Sequence, residues 1–375
     1  MNLVAVAAND LTGFVLLLCM LISSRVRRSG RSFELQLFSK IAILTMISCA
    51  VDFFAFYYDG KPGALPMFVN MAANTFCFIS NPIFVASWCL YCDYKFYRSL
   101  DRIKKMYTYV FIPAILLVII ALVNVVYPLI FYIDASNVYH RLPLNYGYYI
   151  VDLLYLIYSV FTKIRFEQRY GKVRFFPMYL MMGPILFGCT IQACVYGLSL
   201  IWISLSIGIT AIYMALQNEF SYLDPLTGLY NRAYLDYQFE AASKHTKSVL
   251  GGIMIDVDDF KQINDTYGHS VGDDALKAMA QILLACKPER SVILRFAGDE
   301  FIIIIKKSNE DEILGVMENL RKAQENFNQT SGAPYHLSFS MGYALYHPGK
   351  DTSDTFYKAM DDNMYIAKNE KHNRK

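Results

Sequence analysis

Charge is scarce in the first 220 residues of this chain, and that scarcity bounds what the protein can be. Those residues hold 17 Lys/Arg and 10 Asp/Glu, with long blocks that carry almost none. At 55% hydrophobic over 375 residues, with a positive mean hydropathy, the whole is too apolar for an ordinary soluble protein. Residues 221–375 hold 18 Lys/Arg and 22 Asp/Glu, so the two parts carry +7 and −4. The acidic part lacks a basic stripe, which argues against a nucleic-acid partner. A disulfide framework is also lacking. Seven of the eight cysteines are scattered through the apolar part. Cys89 and Cys92 have metal-like spacing, but no second Cys or His pair accompanies them, and they read as small residues of a membrane helix. The N-terminus lacks a basic n-region and a small-residue cleavage site, so no signal peptide is expected. No long heptad pattern and no internal repeat are present. The missing repeat weighs against a transporter with an appended regulatory domain.

What is there begins with apolar blocks. A bilayer-spanning helix needs about 20 mostly apolar residues. Seven blocks qualify, near 3–24, 36–58, 66–91, 107–132, 145–164, 175–196 and 198–217. Arg25, Arg27, Arg28 and Arg31 follow the first. Lys95, Arg98, Arg102, Lys104 and Lys105 follow the third. Lys163, Arg165, Arg169, Lys172 and Arg174 follow the fifth. The alternate loops hold only Lys61 and Arg141. This positive-inside bias puts the N-terminus outside and residues 218–375 in the cytoplasm, an arrangement that needs an odd number of spans.

Polar residues inside such spans are costly and often functional. Asn9, Asp10, Asp52, Asn70, Asn74, Asn124, Asp152 and Gln192 all fall in the outer halves of their blocks. They form either an outward-facing pocket for a small signal or interhelical hydrogen bonds. Pro82, Pro113, Pro128, Pro177 and Pro184 lie within the blocks, either as kinks that transmit motion or as tolerated prolines. The junction from Ala215 to Asp224 has no Gly or Pro, so the last span is expected to continue as a helix.

The second part alternates strands and helices, and predicts an α/β or α+β sandwich of one domain. Strands are expected over Ser248–Asp256 and His336–Tyr346, and helices over Ser270–Ala285, Asp311–Phe327 and Thr352–Asn369. Between them, Arg295-Phe-Ala-Gly-Asp-Glu-Phe301 joins two β-rich runs, which reads as a hairpin with two carboxylates at its tip. Asp256-Val-Asp-Asp259 ends another apolar run. If the two strands are neighbours, Asp256 and Asp299 meet at one sheet edge, an oxygen donor set that suits Mg²⁺ on a phosphate. Lys261 and Lys368 are candidate phosphate contacts. Asn264 and Asp273 are a candidate pair for a guanine edge, whose N1 and exocyclic amine are donors. Taken alone, such acids are as readily a solvated surface cluster.

These residues fall in ordered blocks that resemble the GGDEF-domain family of diguanylate cyclases. The blocks are Asp224-Pro-Leu-Thr-Gly-Leu-Tyr-Asn-Arg232, Asp256-Val-Asp-Asp-Phe-Lys-Gln-Ile-Asn-Asp265, Tyr267-Gly-His-Ser-Val-Gly-Asp273 and Arg295-Phe-Ala-Gly-Asp-Glu-Phe301. Ser340-Met-Gly342, Ala359-Met-Asp361 and Met364-Tyr-Ile-Ala-Lys368 follow. The resemblance covers residues near 221–375. It implies a mostly antiparallel central sheet flanked by helices, and condensation of two GTP into cyclic di-GMP with release of pyrophosphate. Each 3′-hydroxyl attacks the α-phosphorus of the other GTP, so two domains must face each other as a homodimer. By the same resemblance Asp256, the Val257 carbonyl, Asp299 and Glu300 bind Mg²⁺, two ions per GTP, with Mn²⁺ as a substitute. Asp299 is the general base. Asn264 and Asp273 read guanine, His269 lies near the nucleotide, and Lys368 with the backbone of Phe260 and Lys261 holds phosphates.

The whole then reads as a multi-pass bacterial membrane protein, with a sensor region over 1–217 and a cytoplasmic cyclase domain over 218–375. No phosphodiesterase domain is expected after the last helix. Three departures qualify the match. Ala297 stands in place of the first motif glycine, at a cost of about 1 kcal/mol if that position needs φ > 0. His372 stands where an arginine is usual, with Arg374 nearby. The inhibitory Arg-x-x-Asp is replaced by Pro288-Glu-Arg-Ser291, so product inhibition there is not expected. The second reading is a degenerate domain that binds GTP or a protein without turnover.

Overall fold

A computed structural model describes residues 3–25, 33–170, 173, 175–195, 198–243, 248–288 and 290–373. The chain forms two compact units, Met1–Asn218 and Glu219–Lys375.

The first unit is helical. Its elements are α1 (Leu3–Arg25), α2 (Phe33–Tyr58), α3 (Ala64–Tyr97), α4 (Leu100–Val110), α5 (Ile112–Val123), a short hairpin of β1 (Phe131–Ile133) and β2 (Tyr139–Arg141), α6 (Asn145–Tyr170), α7 (Tyr179–Cys194) and α8 (Ile201–Ser221). Among the described residues five helices, α1, α2, α3, α6 and α8, are long and apolar enough to cross a membrane, or six if α4 and α5 are one bent span. The expected seven is therefore not what the helices themselves display, and two blocks account for the difference. The block near 107–132 is broken. α4 carries Asp101, Arg102, Lys104 and Lys105. Pro113, with no N–H to extend the preceding helix, stands in the first turn of α5 after a 45° bend. Twelve residues of α5 rise only about 18 Å, short of the roughly 30 Å hydrocarbon core. Its expected C-terminal part is instead a turn and β1, held by Asn124, whose Oδ1 accepts from the N–H of Leu129 and Ile130 at 2.7 Å each. α7 has 16 residues, again too short by this measure.

An aromatic cluster of Trp88, Tyr91, Phe96 and Phe176 fills the middle of this unit. At one end of α3 the charges pair: Lys95 with Glu34 at 2.9 Å, and Arg102 with Asp93 through two hydrogen bonds of 2.8 and 3.0 Å. Most of the polar residues read from the sequence have structural partners. Asn9 donates to the Ser199 carbonyl, Asn70 to Asn137, Asn74 to Asn70, and Gln192 Oε1 accepts from Leu200 and Ile201. Cys89 and Cys92 are buried free thiols.

The second unit contains α9 (Arg232–Ser243), β3 (Leu250–Val257), α10 (Phe260–Tyr267), α11 (His269–Ala285), β4 (Ser291–Ala297), β5 (Glu300–Lys306), α12 (Glu310–Thr330), β6 (Phe339–Tyr346) and α13 (Ser353–His372). The four strands form one sheet in the order β4-β5-β3-β6, antiparallel throughout. β3 is buried along its whole length and its side chains alternate between two cores. Ile253, Ile255 and Val257 pack with Leu276, Met279 and Leu283 of α11 and Ile313 and Leu320 of α12. Leu250 and Met254 pack with Phe356, Met360 and Met364 of α13. This two-sided burial explains why β3 reads as an unbroken apolar run.

Candidate active site

The site lies at one end of the central strands. In register, Asp256 at the end of β3 stands opposite Glu300 at the start of β5, and opposite Ser340 of β6 on its other side. β4 and β5 are joined by a two-residue turn, Gly298-Asp299, between the paired Ala297 and Glu300. Gly298 has φ 45°, the left-handed conformation such a turn needs at its first central position. The Asp299 carbonyl accepts from the Val257 N–H at 3.2 Å, which ties the tip back to β3. Asp256, Val257, Asp299 and Glu300 therefore gather at one sheet edge, as do the residues that follow β3.

Ala297 causes no backbone strain. It ends β4, is exposed, and is not among the positive-φ residues. The register slip between Arg295 and Ala297 places the irregularity at Phe296, and the positive φ falls on Gly298. Ala297→Gly is expected to lose up to about 1 kcal/mol of stability rather than gain any, because glycine weakens a strand. A comparison of melting temperatures checks this.

Asp259 has φ 54° and turns the chain into α10. The N–H groups of Phe260 and Lys261 open that helix, where no helical carbonyl precedes them, so the position favours an anion. Asn264 lies on α10 against the start of α11: a Cβ at Gly272 would meet its Oδ1 at 2.0 Å. Asp273 follows Gly272 directly and is exposed, as is His269 at the first position of α11. Two helices joined at Gly268, with φ 87°, thus carry the three residues read as nucleotide contacts.

Lys368 is paired with an acid of the site. Its Nζ lies 2.6 Å from Asp256 Oδ1. Burial opposes the ammonium, but the hydrogen bond and charge of Asp256 outweigh it and hold Lys368 above the ordinary lysine range. Burial, and after it the charges of Asp256 and Asp299, push the Glu300 carboxyl up. Three carboxylates against one ammonium leave an excess of negative charge that a divalent cation would relieve. Among the described residues no three acid, His or Cys side chains converge as a ready-made ligand cluster. The donors present, two or three carboxylates and the Val257 carbonyl, are all oxygen. They fit Mg²⁺, which completes its shell with water and substrate phosphate rather than an all-protein cage.

The sequence reading assigned no role to two supporting pairs. Asp258, next to the metal-side residues, is buried and accepts from Ser338 and Ser340 at 2.7 Å each and from Lys371 at 2.7 Å. Burial opposes its ionisation, but the bonds from Lys371, Ser340 and Ser338 win and hold its carboxyl below the usual carboxylate range. Because the folded state lowers this pKa, the stabilisation is present above the unfolded value and is lost as pH falls through the folded one. Asp258→Asn is expected to cost about 1–3 kcal/mol at neutral pH. The difference from the unaltered protein narrows on acidification, as hydrogen exchange over residues 256–258 and 338–340 would report. In the second pair, Arg295 Nε donates to the Gly298 carbonyl at 2.8 Å and its Nη1 contacts Asp224 at 3.2 Å, fastening the hairpin tip to the 224–232 loop. Asp224 was legible as the head of its motif, but its partner was not, 71 residues away. The His372 side chain and Arg374, and Glu289 in the 288–291 window, lie outside the described residues.

Similarity to known proteins is confined to the second unit. The family described as "Diguanylate cyclase, GGDEF domain" matches residues 221–374. The chain is 34% identical over 157 residues to the diguanylate cyclase DosC of Escherichia coli K12, covering 40% of this chain and 34% of that protein. It is 34% identical over 154 residues to DgcM of the same organism, covering 40% and 37%. It thus spans about a third of the length of these curated relatives. Among solved structures, the GGDEF domain of PA1120 (TpbB or YfiN) from Pseudomonas aeruginosa is 30% identical, covering 40% of this chain and 89% of that one, with a TM-score of 0.36. Residues 221–374 of this chain are a GGDEF domain, similar over that stretch to curated diguanylate cyclases.

Proposed function

We propose that residues 218–375 condense two GTP into cyclic di-GMP, as a homodimer on the cytoplasmic face of a bacterial membrane, under control of residues 1–217 as a multi-span sensor. The observation that carries this reading is the register of Asp256 with Glu300, with Asp299 in the adjoining turn. It supplies an oxygen-rich, half-buried anionic edge beside a helix N-terminus, which is the chemistry that metal-assisted nucleotidyl transfer needs.

In this reading Asp256, the Val257 carbonyl, Asp299 and Glu300 would hold Mg²⁺, which would supply charge neutralisation at the phosphates. The backbone N–H groups of Phe260 and Lys261 bind phosphate oxygens. Asn264 and Asp273 orient guanine, with His269 beside it. Asp299 takes the proton of the 3′-hydroxyl, and Lys368 exchanges Asp256 for a substrate phosphate. Each protomer positions one GTP, so proximity of two domains is what completes the reaction. The orientation is supported by the basic residues at the C-terminal ends of α1 and α6 and following α3: Arg25; Arg165 and Arg169; and Arg98, Arg102, Lys104 and Lys105. The test is direct. Purified full-length protein is incubated with GTP and Mg²⁺, with and without a dimerising fusion. Cyclic di-GMP and pyrophosphate are the expected products, and absence of product in both forms would favour the non-catalytic reading.

A further inference from the structure

One cavity of the helical unit, of about 120 Å³, carries both signs of charge in its wall. It lies where the C-terminal ends of α2 and α7, the N-terminal ends of α6 and α8, the first half of α3 and strand β2 come together. Its acids are Asp52 and Asp59, and its cation is Arg141. β2 sets Asp59 and Arg141 apart. The Tyr139 N–H donates to Asp59 Oδ1 at 2.8 Å, and Arg141, two residues on, donates through Nη1 to the Gln192 carbonyl at 3.2 Å. Residues i and i+2 of a strand share a face and lie about 7 Å apart.

Hydrogen bonds within the chain hold the amides of the lining by their nitrogens. Asn74 Nδ2 donates to Asn70 Oδ1 at 2.8 Å, Asn81 Nδ2 to Asp152 at 2.8 Å, and Asn145 Nδ2 to the Tyr139 hydroxyl at 3.5 Å. The Oδ1 atoms of these three asparagines, and Asp59 Oδ2, accept from no protein group among the described residues, and none of the four is sealed from water. Beside Arg141 the pattern reverses. Gln192 is held by its Oε1, which accepts from the N–H of Leu200 and Ile201 at 2.7 and 3.0 Å. Its Nε2 has no protein acceptor among the described residues and is likewise open to water. The wall therefore offers a carboxylate and amide oxygens around Asp59, and a guanidinium with an amide N–H₂ around Arg141.

We propose that this cavity binds a small amino-acid zwitterion, its ammonium donating to Asp59 Oδ2 and the asparagine oxygens and its carboxylate accepting from Arg141 and Gln192 Nε2. An ammonium has three donors and no acceptor, which is what a wall of unengaged oxygens lacks. A guanidinium is the side chain best shaped for a carboxylate. A plain amine would set a like charge against Arg141, and a plain carboxylate would meet Asp52 and Asp59. Size narrows the ligand further. A cavity of roughly 150 Å³ holds benzene, with six heavy atoms, so about 120 Å³ suits glycine or alanine rather than a long amino acid. Ile201 and Trp202 of the lining begin α8, the helix that ends at Ser221 and leads into the second unit. That a bound ligand acts on the second unit rests on the sensor reading above; the binding itself does not.

The experiment uses full-length protein in nanodiscs and does not depend on turnover of GTP, so its failure is separable from failure of the cyclase reading. Trp202 lines the cavity and its emission reports binding; the other tryptophan of the chain, Trp88, is buried in the aromatic cluster. The probes at neutral pH are L-alanine, isopropylamine, which has a methyl in place of the carboxylate, and isobutyrate, which has a methyl in place of the ammonium. L-alanine is expected to give a saturable change, with each isostere weaker by about tenfold or more, the ratio that one charge-assisted hydrogen bond provides. Asp59→Asn keeps an oxygen for the Tyr139 N–H, so it is expected to weaken L-alanine by the same factor without weakening isobutyrate. Arg141→Gln is expected to weaken L-alanine without weakening isopropylamine. Isopropylamine binding as tightly as L-alanine would mean a site for amines, isobutyrate doing so would mean a site for anions, and either overturns the proposal. So would an unchanged L-alanine affinity in Asp59→Asn, or no saturable response to L-alanine up to its solubility. If the variants fail to fold, the two isostere ratios of the unaltered protein decide the matter.

Discussion

Asp299→Ala is expected to lower cyclic di-GMP formation by the full-length protein by about three orders of magnitude, the range for loss of one carboxylate in the two roles proposed for it, general base and metal ligand. The size follows from position. Asp299 is the second residue of a two-residue turn whose carbonyl is fastened to Val257, so no neighbouring acid can swing into its place. Asp256 is engaged by Lys368, and Glu300 is fixed in register at the start of β5. Among the described residues the Asp299 carboxylate takes no protein hydrogen bond, so the substitution leaves no buried donor unpaired, and the melting temperature is expected to stay within a few degrees. Product formation by liquid chromatography, set beside a melting curve, separates the two effects. A variant that keeps its activity would remove Asp299 from the reaction. One that loses activity together with its fold would show that the turn, not the carboxylate, had been damaged.

Gly342→Ala is expected to have the largest effect on stability. A Cβ built there would lie 2.0 Å from the backbone nitrogen of Met364 and 2.4 Å from the Met360 carbonyl. Both are main-chain atoms of α13, so no side-chain rotation relieves the clash, and the helix must lift from β6. Overpacking of this kind costs at least about 1–3 kcal/mol. The displacement also reaches the site. α13 carries Lys368 and Lys371, which bond Asp256 and Asp258 on β3 and the residues after it, and Asn363 Nδ2 donates to the Tyr343 carbonyl at 2.9 Å. Faster hydrogen exchange over residues 353–371 is the expected signature. Protection equal to the unaltered protein would show that α13 and β6 have more room than their spacing allows.

The acids were legible because the sequence places them at the ends of apolar runs, Asp256 after one and Asp299 between two, and a strand can hold a carboxylate in water only where it ends. The hairpin was legible for the same reason, from a turn of Gly and Asp between β-rich segments. The significance of Ala297 was not. Whether that residue or the next takes φ > 0 depends on the register slip at Phe296, a property of the pairing with β5 rather than of either residue. Lys368 was legible as a cation near the site, but its pairing with Asp256 spans 112 residues and exists only because α13 packs on β6 and β3. The count of seven spans is not confirmed, for another reason. Apolar composition continues through 107–132, while Pro113 and the charges of α4 break the helix, and hydropathy averages over both.

By itself, the sequence determined that an apolar, weakly charged half precedes an acidic α/β domain, and it marked which residues of that domain are candidates to hold a metal and a nucleotide. Local pattern suffices for this, since burial periodicity and turn chemistry act over a few residues. The tertiary structure alone decided which polar residues are left without a partner. Asn70, Asn74, Asn124 and Gln192 look no different from Asp152 in sequence, yet the fold supplies them with partners and leaves one oxygen of Asp152 without any. Hydrogen-bond satisfaction is a sum over neighbours from distant segments, and only the assembled helices fix that sum.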